Sequence, residues 1–199
     1  MSTGYALAYR FGITPWERAG KTADASFSAL LDREEADRTS PWGRALDLGC
    51  GRGAHTHQLA HRGWQAIGID NVARAIDAAR QADSSSASFA VADVTTLRTQ
   101  DLGTFDFFLD VGCFHGLRPE QRSAAAQAIT AIANPGATML MLAFQPNRAP
   151  LLPAGVTRTD ITDAFTGWEL LNSQPADTSG MPGPLKKTAP QWYRLRRPA

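Results

Sequence analysis

Four aspartates recur at comparable places in this chain. Asp47, Asp70, Asp93 and Asp110 each close, or immediately follow, a short apolar run: Arg44–Leu48, Gln65–Asp70, Ser88–Ala92 and Phe105–Val111. The first run continues into Asp47-Leu48-Gly49-Cys50-Gly51-Arg52-Gly53. Glycines at such a turn let backbone approach a ligand without a Cβ in the way, and the helix that follows offers free N–H groups. Asp70 lies about twenty residues past the first glycine, where an acid can accept both hydroxyls of a ribose, with Asn71 beside it. Asp93, followed by Val94, is placed to accept from an adenine amino group, and Asp110 faces the other half of the crevice. Acid at all four run ends suits a ligand with a cationic sulfonium, an ammonium, a ribose and an adenine. It suits a pyrophosphate badly, because like charges repel. Two readings stay open on the glycines alone. Gly49-x-Gly51-x-x-Ala54 also satisfies the dinucleotide fingerprint of a nicotinamide-dependent oxidoreductase, and a tight turn needs no ligand at all.

Other reactive side chains are few. His115, in Gly112-Cys113-Phe114-His115, follows the fourth run and is the candidate catalytic base, because histidine exchanges a proton near neutral pH. Nothing nearby marks Cys113 as a thiolate. His57 and His61 share a helix face with metal-like spacing, but no acid or cysteine joins them in that helix, so His55, His57 and His61 read as a solvated surface and no metal is expected.

As a set, these motifs resemble a known family. Ala45-Leu-Asp-Leu-Gly-Cys-Gly-Arg-Gly53 is similar to the first motif of class I S-adenosylmethionine-dependent methyltransferases. Ile67-Gly-Ile-Asp70, Val91-Ala-Asp93 and Phe105-Asp-Phe-Phe-Leu-Asp110 are similar to the later ones, and Asn134-Pro-Gly-Ala137 to the family's Pro-Gly turn. A narrower resemblance lies upstream. Gly12-Ile13-Thr14-Pro15-Trp16-Glu17 resembles the opening segment of halide/thiol methyltransferases, in a group that includes the thiopurine and tellurite-resistance enzymes. That group's Gly-Arg-x-x-Pro is replaced here by Ala19-Gly20-Lys21-Thr22-Ala23. The resemblance implies S-adenosyl-L-methionine as cofactor, S-adenosyl-L-homocysteine as product and a small-molecule acceptor: a thiol, a halide, or a small aromatic or heterocyclic nucleophile. It implies that Trp16, Asp47, Gly49, Cys50, Gly51, Asp70, Asn71, Asp93, Val94 and Asp110 hold the cofactor, Trp16 walling the transfer cavity. A non-catalytic module that only binds this cofactor is the alternative from another class.

The elements that must position these residues follow from periodicity. Thr22–Ala36 reads as an amphipathic helix, with Phe27, Leu30 and Leu31 on one face. Helices are expected over His55–Arg62, Val72–Ala82, Pro119–Ala133 and Asp160–Phe165. Strands are expected over Ala137–Phe144, Trp168–Ser173 and Gln191–Leu195 besides the four runs. Strand–helix alternation argues for a doubly wound parallel sheet with ligands at the carboxyl ends of its strands. The resemblance sharpens this to a single Rossmann-like α/β domain over residues 1–199, with seven strands, mostly parallel, the last inserted antiparallel. Residues 1–40 would form an N-terminal lid and helix, 41–146 the cofactor core and 147–199 the substrate side. The loop Gln174–Pro190 and the stretch Tyr5–Trp16 are expected to close over the crevice.

With 199 residues and a formal net charge of +1, one core is expected, with no general attraction to nucleic acid or membrane. Arg194, Arg196 and Arg197 read as an exposed edge of the last strand. No apolar run reaches the roughly 20 residues of a membrane span, and the N-terminal residues lack a signal peptide's basic start. Cys50 and Cys113 cannot make a disulfide framework, so a reducing, cytoplasmic compartment is expected. A monomer or weak homodimer is expected.

Overall fold

The computed structural model of the chain describes residues 27–147, 152, 154–181 and 183–199. Helix α1 covers described residues 27–36, and its expected start at Thr22 lies outside them. Then follow β1 (Arg44–Leu48), α2 (Ala54–His61), β2 (Gln65–Asp70), α3 (Ala73–Ala82) and β3 (Ser88–Val91). A short α4 (Thr99–Leu102) leads to β4 (Phe105–Val111), a 3-10 turn (Phe114–Gly116), α5 (Pro119–Ala131) and β5 (Ala133–Ala143). The chain ends with α6 (Arg158–Ala164), β6 (Glu169–Pro175), α7 (Gly183–Lys186) and β7 (Gln191–Arg196).

The seven strands form one sheet in the order β3-β2-β1-β4-β5-β7-β6. The first five are parallel, and β7 runs antiparallel between β5 and β6. The expected Rossmann-like sheet, with its last strand inserted antiparallel, is the sheet observed. Its order reverses between β1 and β4, which puts a crevice at the carboxyl ends of β1, β2 and β4.

Helices cover both faces. On one, Phe27, Leu30 and Leu31 of α1 and Leu59 of α2 meet Ala45, Phe107 and Leu109. On the other, Ala125 and Ile129 of α5 and Ile161 of α6 meet Leu46, Leu48, Ile69 and Phe108. Burial on both faces is why β1 and β4 read as nearly continuous apolar runs. Each large apolar side chain so buried contributes about 1.5–3 kcal/mol.

Three expectations change. The Pro-Gly turn does not precede β5 but lies within it: Phe105 pairs with Ala133 and Phe107 with Thr138, so β5 bulges by several residues through Asn134-Pro135-Gly136. Gly136, at φ +79°, sits in that bulge and its N–H reaches the Arg197 carbonyl. The basic residues Arg194 and Arg196 lie on an interior strand, since β6 takes the edge. Arg194 Nε donates to Glu34 at 2.8 Å, and Glu34 also accepts from Arg38 Nε at 3.1 Å. Glu34 is 1% exposed, so these cations offset the cost of burying its charge. Finally, the stretch Gln174–Pro190 is not a plain loop. Its first two residues finish β6, α7 buries Leu185, and Ala176 N–H bonds to the Pro190 carbonyl across its ends. No helix among the described residues is long and apolar enough to cross a membrane.

Candidate active site

The glycine turn after β1 is wedged between two neighbours. Gly49 has φ +69°, and a Cβ there would lie 2.9 Å from Cys113 Cβ. Gly53, at φ +80°, opens α2 as its N-cap, and a Cβ there would meet the Phe89 ring at 2.6 Å. Both the left-handed backbone and the contact require glycine. The turn thus draws the loop after β4 and the strand β3 against the end of β1.

Two acids share one face of this edge. Asp47 and Asp70 alternate with Leu46, Leu48 and Ile69, which pack on the opposite side, so both carboxyls point toward the α1–α2 face. Asp47 is 2% exposed, and its only hydrogen-bond partner among the described residues is Thr56, whose hydroxyl donates to it at 2.6 Å. Burial, reinforced by the charge of Asp70, pushes its carboxyl up to about 7, against the opposing pull of the Thr56 hydrogen bond. Asp70 accepts from the Gly51 N–H at 3.1 Å on one oxygen and from the Val72 N–H at 2.9 Å on the other. Its carboxyl is also raised by burial, while those N–H groups pull it down. Thr56 went unnoticed in the sequence. The available signal was a hydroxyl on the inward face of α2, nine residues after the acid.

Asp110 belongs to the other face, with Phe108. It is 2% exposed and accepts from Cys113 N–H at 2.9 Å and Phe114 N–H at 3.0 Å. Its carboxyl is spent shaping the turn from Gly112 to His115, and burial raises it to about 7. Asp93 is exposed and folds back on Thr95, accepting from its N–H at 2.8 Å and its hydroxyl at 2.7 Å. Asn71 is exposed beside Asp70, and Val94 is buried in the core under β3. Cys50 and Cys113 are half-buried thiols, both held above the ordinary thiol range by burial and by the surrounding acids. Trp16 and the Tyr5–Trp16 stretch lie outside the described residues.

The structure gives His115 an occupation other than that of a base. The ring is 3% exposed, its Nδ1 accepts the Phe144 N–H at 3.0 Å, and it stacks on the Phe144 ring at 4.3 Å. Burial, assisted by Arg122, lowers its pKa to about 3. The one lone pair a neutral imidazole offers is already taken. His57 departs from the expected solvated surface: it is 6% exposed, with Nδ1 2.6 Å from Ser85 Oγ and Nε2 2.9 Å from the Ala79 carbonyl oxygen, tying α2 to α3. His61 remains exposed, 2.9 Å from Asp83.

In sequence the chain is similar to known methyltransferases. Residues 45–136 match the methyltransferase domain family. The chain is 34% identical over 112 residues to a 2-heptyl-1-hydroxyquinolin-4(1H)-one methyltransferase of Mycobacteroides abscessus, covering 54% of this chain and 49% of that protein. It is 27% identical over 146 residues to thiocyanate methyltransferase 1 of Brassica oleracea, covering 71% and 61%. The chain thus spans about half the length of the first relative and about three fifths of the second. In fold it is similar to Burkholderia thailandensis 1,6-didemethyltoxoflavin-N1-methyltransferase, at TM-score 0.72 and 19% identity, over 98% of this chain and 86% of that one.

Proposed function

We propose that this chain, whose residues 45–136 match the methyltransferase domain family, is a class I S-adenosylmethionine-dependent methyltransferase that transfers the methyl group to a small-molecule acceptor. The observation that carries the reading is the cluster of acids at the crevice, whose ionised form a bound cation would favour. Asp47, Asp70 and Asp110 meet at the ends of β1, β2 and β4, and none has an arginine or lysine partner among the described residues. Such an edge favours a cation and disfavours a pyrophosphate.

The residues fit the cofactor. Each oxygen of Asp70 holds one backbone N–H and keeps a lone pair, enough to accept two ribose hydroxyls. Asp47, buried with Thr56 alone as partner, can balance a positive charge nearby. Gly49, Cys50 and Gly51 present bare backbone, Asn71, Asp93 and Val94 bound the adenine side, and Trp16 would complete the wall. Asp110 acts through the turn it shapes. When bound, S-adenosylmethionine supplies an electrophilic methyl on a cationic sulfur. The protein's part is to align the acceptor and exclude water, and alignment of this kind can lower a barrier by about 7–11 kcal/mol. With His115 unable to take a proton, the site works by positioning. That suits acceptors arriving as anions or weakly basic heteroatoms: thiols, halides, and aromatic or heterocyclic nucleophiles.

Calorimetric titration with S-adenosylhomocysteine and with NAD tests the cofactor class. Binding of NAD alone would overturn the proposal. Transfer of labelled methyl to a panel of thiols, halides and hydroxylated heterocycles tests the reaction. Binding without transfer across the panel would favour a non-catalytic module.

A further inference from the structure

His115 leaves one polar group unaccounted for. Because Nδ1 accepts the Phe144 N–H, the ring proton sits on Nε2. That N–H has no hydrogen-bond partner among the described residues, although the side chain is 3% exposed. A buried donor left unpaired is costly, and native structures rarely keep one without a use.

The unpaired edge of the ring borders Gly112. A Cβ on Gly112 would lie 3.3 Å from Cε1 and 3.6 Å from Nε2 of His115, and Gly112 itself is half-buried at φ +89°. Glycine at this position therefore leaves bare backbone where any side chain would cover the Nε2 edge. The ring cannot swing to find another partner, since it is stacked on Phe144 with 20° between the planes. The cation whose field reaches it, Arg122, is itself held by the Leu117 carbonyl at 2.9 Å and the Gly155 carbonyl at 3.0 Å. The donor is neutral, fixed in direction, and sits just after β4, on the same turn as Cys113, which packs against Gly49.

Building on the methyltransferase reading, we propose that the Nε2–H of His115 donates a hydrogen bond to an oxygen of the methyl acceptor seated against Gly112, selecting acceptors with a carbonyl or oxyanion beside the nucleophilic atom. On a one-atom nucleophile the same bond would tie up the attacking lone pairs and slow the reaction. On a neighbouring oxygen it only orients the molecule. A site that buries a donor rejects analogues lacking the matching acceptor, because the donor then stays unpaired. His115 is thus a specificity-determining contact and not a base.

The test uses the full chain with two probes, iodide and 1-hydroxyquinolin-2(1H)-one, whose carbonyl stands beside the nucleophilic N-hydroxyl oxygen. His115→Asn keeps an acceptor for the Phe144 N–H, but its shorter amide places no donor at the Nε2 position. His115→Gln can place an amide N–H near the Nε2 position. The expected result is a fall of about 10- to 100-fold in the ratio of kcat/KM for the quinolinone to that for iodide in His115→Asn, carried mainly by KM. Partial recovery is expected in His115→Gln. An unchanged ratio in His115→Asn, or wild-type turnover of iodide but not of the quinolinone, overturns the inference. A second measurement needs no variant. In the wild-type complex with S-adenosylhomocysteine, the His115 Nε2–H resonance should move downfield when the quinolinone is added, and a stationary resonance overturns the inference. Failure of wild type to bind S-adenosylhomocysteine overturns the methyltransferase reading itself. Binding with an unchanged ratio overturns this inference alone.

Discussion

Asp47→Asn tests whether the crevice holds an acid that resists ionisation. The side chain is 2% exposed, has Thr56 as its only hydrogen-bond partner among the described residues, and is raised from 3.8 to about 7, chiefly by burial. Above about pH 4 the unfolded chain carries this carboxylate ionised while the folded protein keeps the proton. Stability from this group is therefore full below about pH 4, falls as pH rises to about 7, and then levels off. Each pH unit in that interval weighs about 1.4 kcal/mol, so the cost is about 1.6 kcal/mol at pH 5 and about 4 kcal/mol at pH 8. Asparagine has the same shape, can accept from Thr56, and does not titrate. Asp110 is raised chiefly by burial and in part by the Asp47 charge, so removing that charge relieves Asp110 as well and adds to the difference in the same direction. Urea unfolding of both proteins from pH 5 to pH 8 should therefore show Asp47→Asn gaining on wild type by at least about 2.5 kcal/mol across the range. A difference that stays constant with pH would refute the reasoning, for it would mean Asp47 is ionised in the folded protein throughout.

Further outcomes follow from the same geometry. Asp70→Ala should weaken S-adenosylhomocysteine binding by about 2–4 kcal/mol in calorimetry, the loss of two hydrogen bonds to a charged acceptor; unchanged affinity would place the ribose elsewhere. Affinity for S-adenosylmethionine should rise as pH passes from 6 to 8, because a bound cation favours the ionised form of Asp47, and Asp47→Asn should flatten that dependence. Gly49→Ala should lower the melting temperature and weaken cofactor binding at least about tenfold, since its Cβ would meet Cys113 Cβ at 2.9 Å in a left-handed backbone; a wild-type-like variant in both assays would contradict the wedged turn.

Much of the scaffold was legible because periodicity is local. β1, β2 and β4 are apolar runs bounded by turn residues, and their observed limits are those read from the runs. Most other limits fall within a residue or two, where helix ends are set by capping contacts that periodicity does not encode. The sheet and the resemblance to methyltransferases were readable for a related reason: the glycine turn and the acids that follow the strands are short motifs with a mechanism. β5 escaped because Pro135-Gly136 carries a stop signal, and only pairing with β4 and the Arg197 contact turn that signal into a bulge.

What each acid and histidine does was decided by the tertiary structure. The sequence by itself determined that four aspartates stand at or just after strand ends near a glycine turn, since chain order and alternation suffice for that. It could not distinguish Asp47 and Asp70, which share a face, from Asp110, whose oxygens are consumed by the Cys113 and Phe114 N–H groups. Nor could it show that Asp93 folds onto Thr95, or that His57 is buried between two helices. His115 is the clearest case. Its type suggested a base, yet its chemistry is set by Phe144, twenty-nine residues away, whose N–H occupies Nδ1 and whose ring fixes the plane. Burial and hydrogen-bond partners assign a proton to a titratable group, and both are properties of the packed chain, supplied by residues distant in sequence.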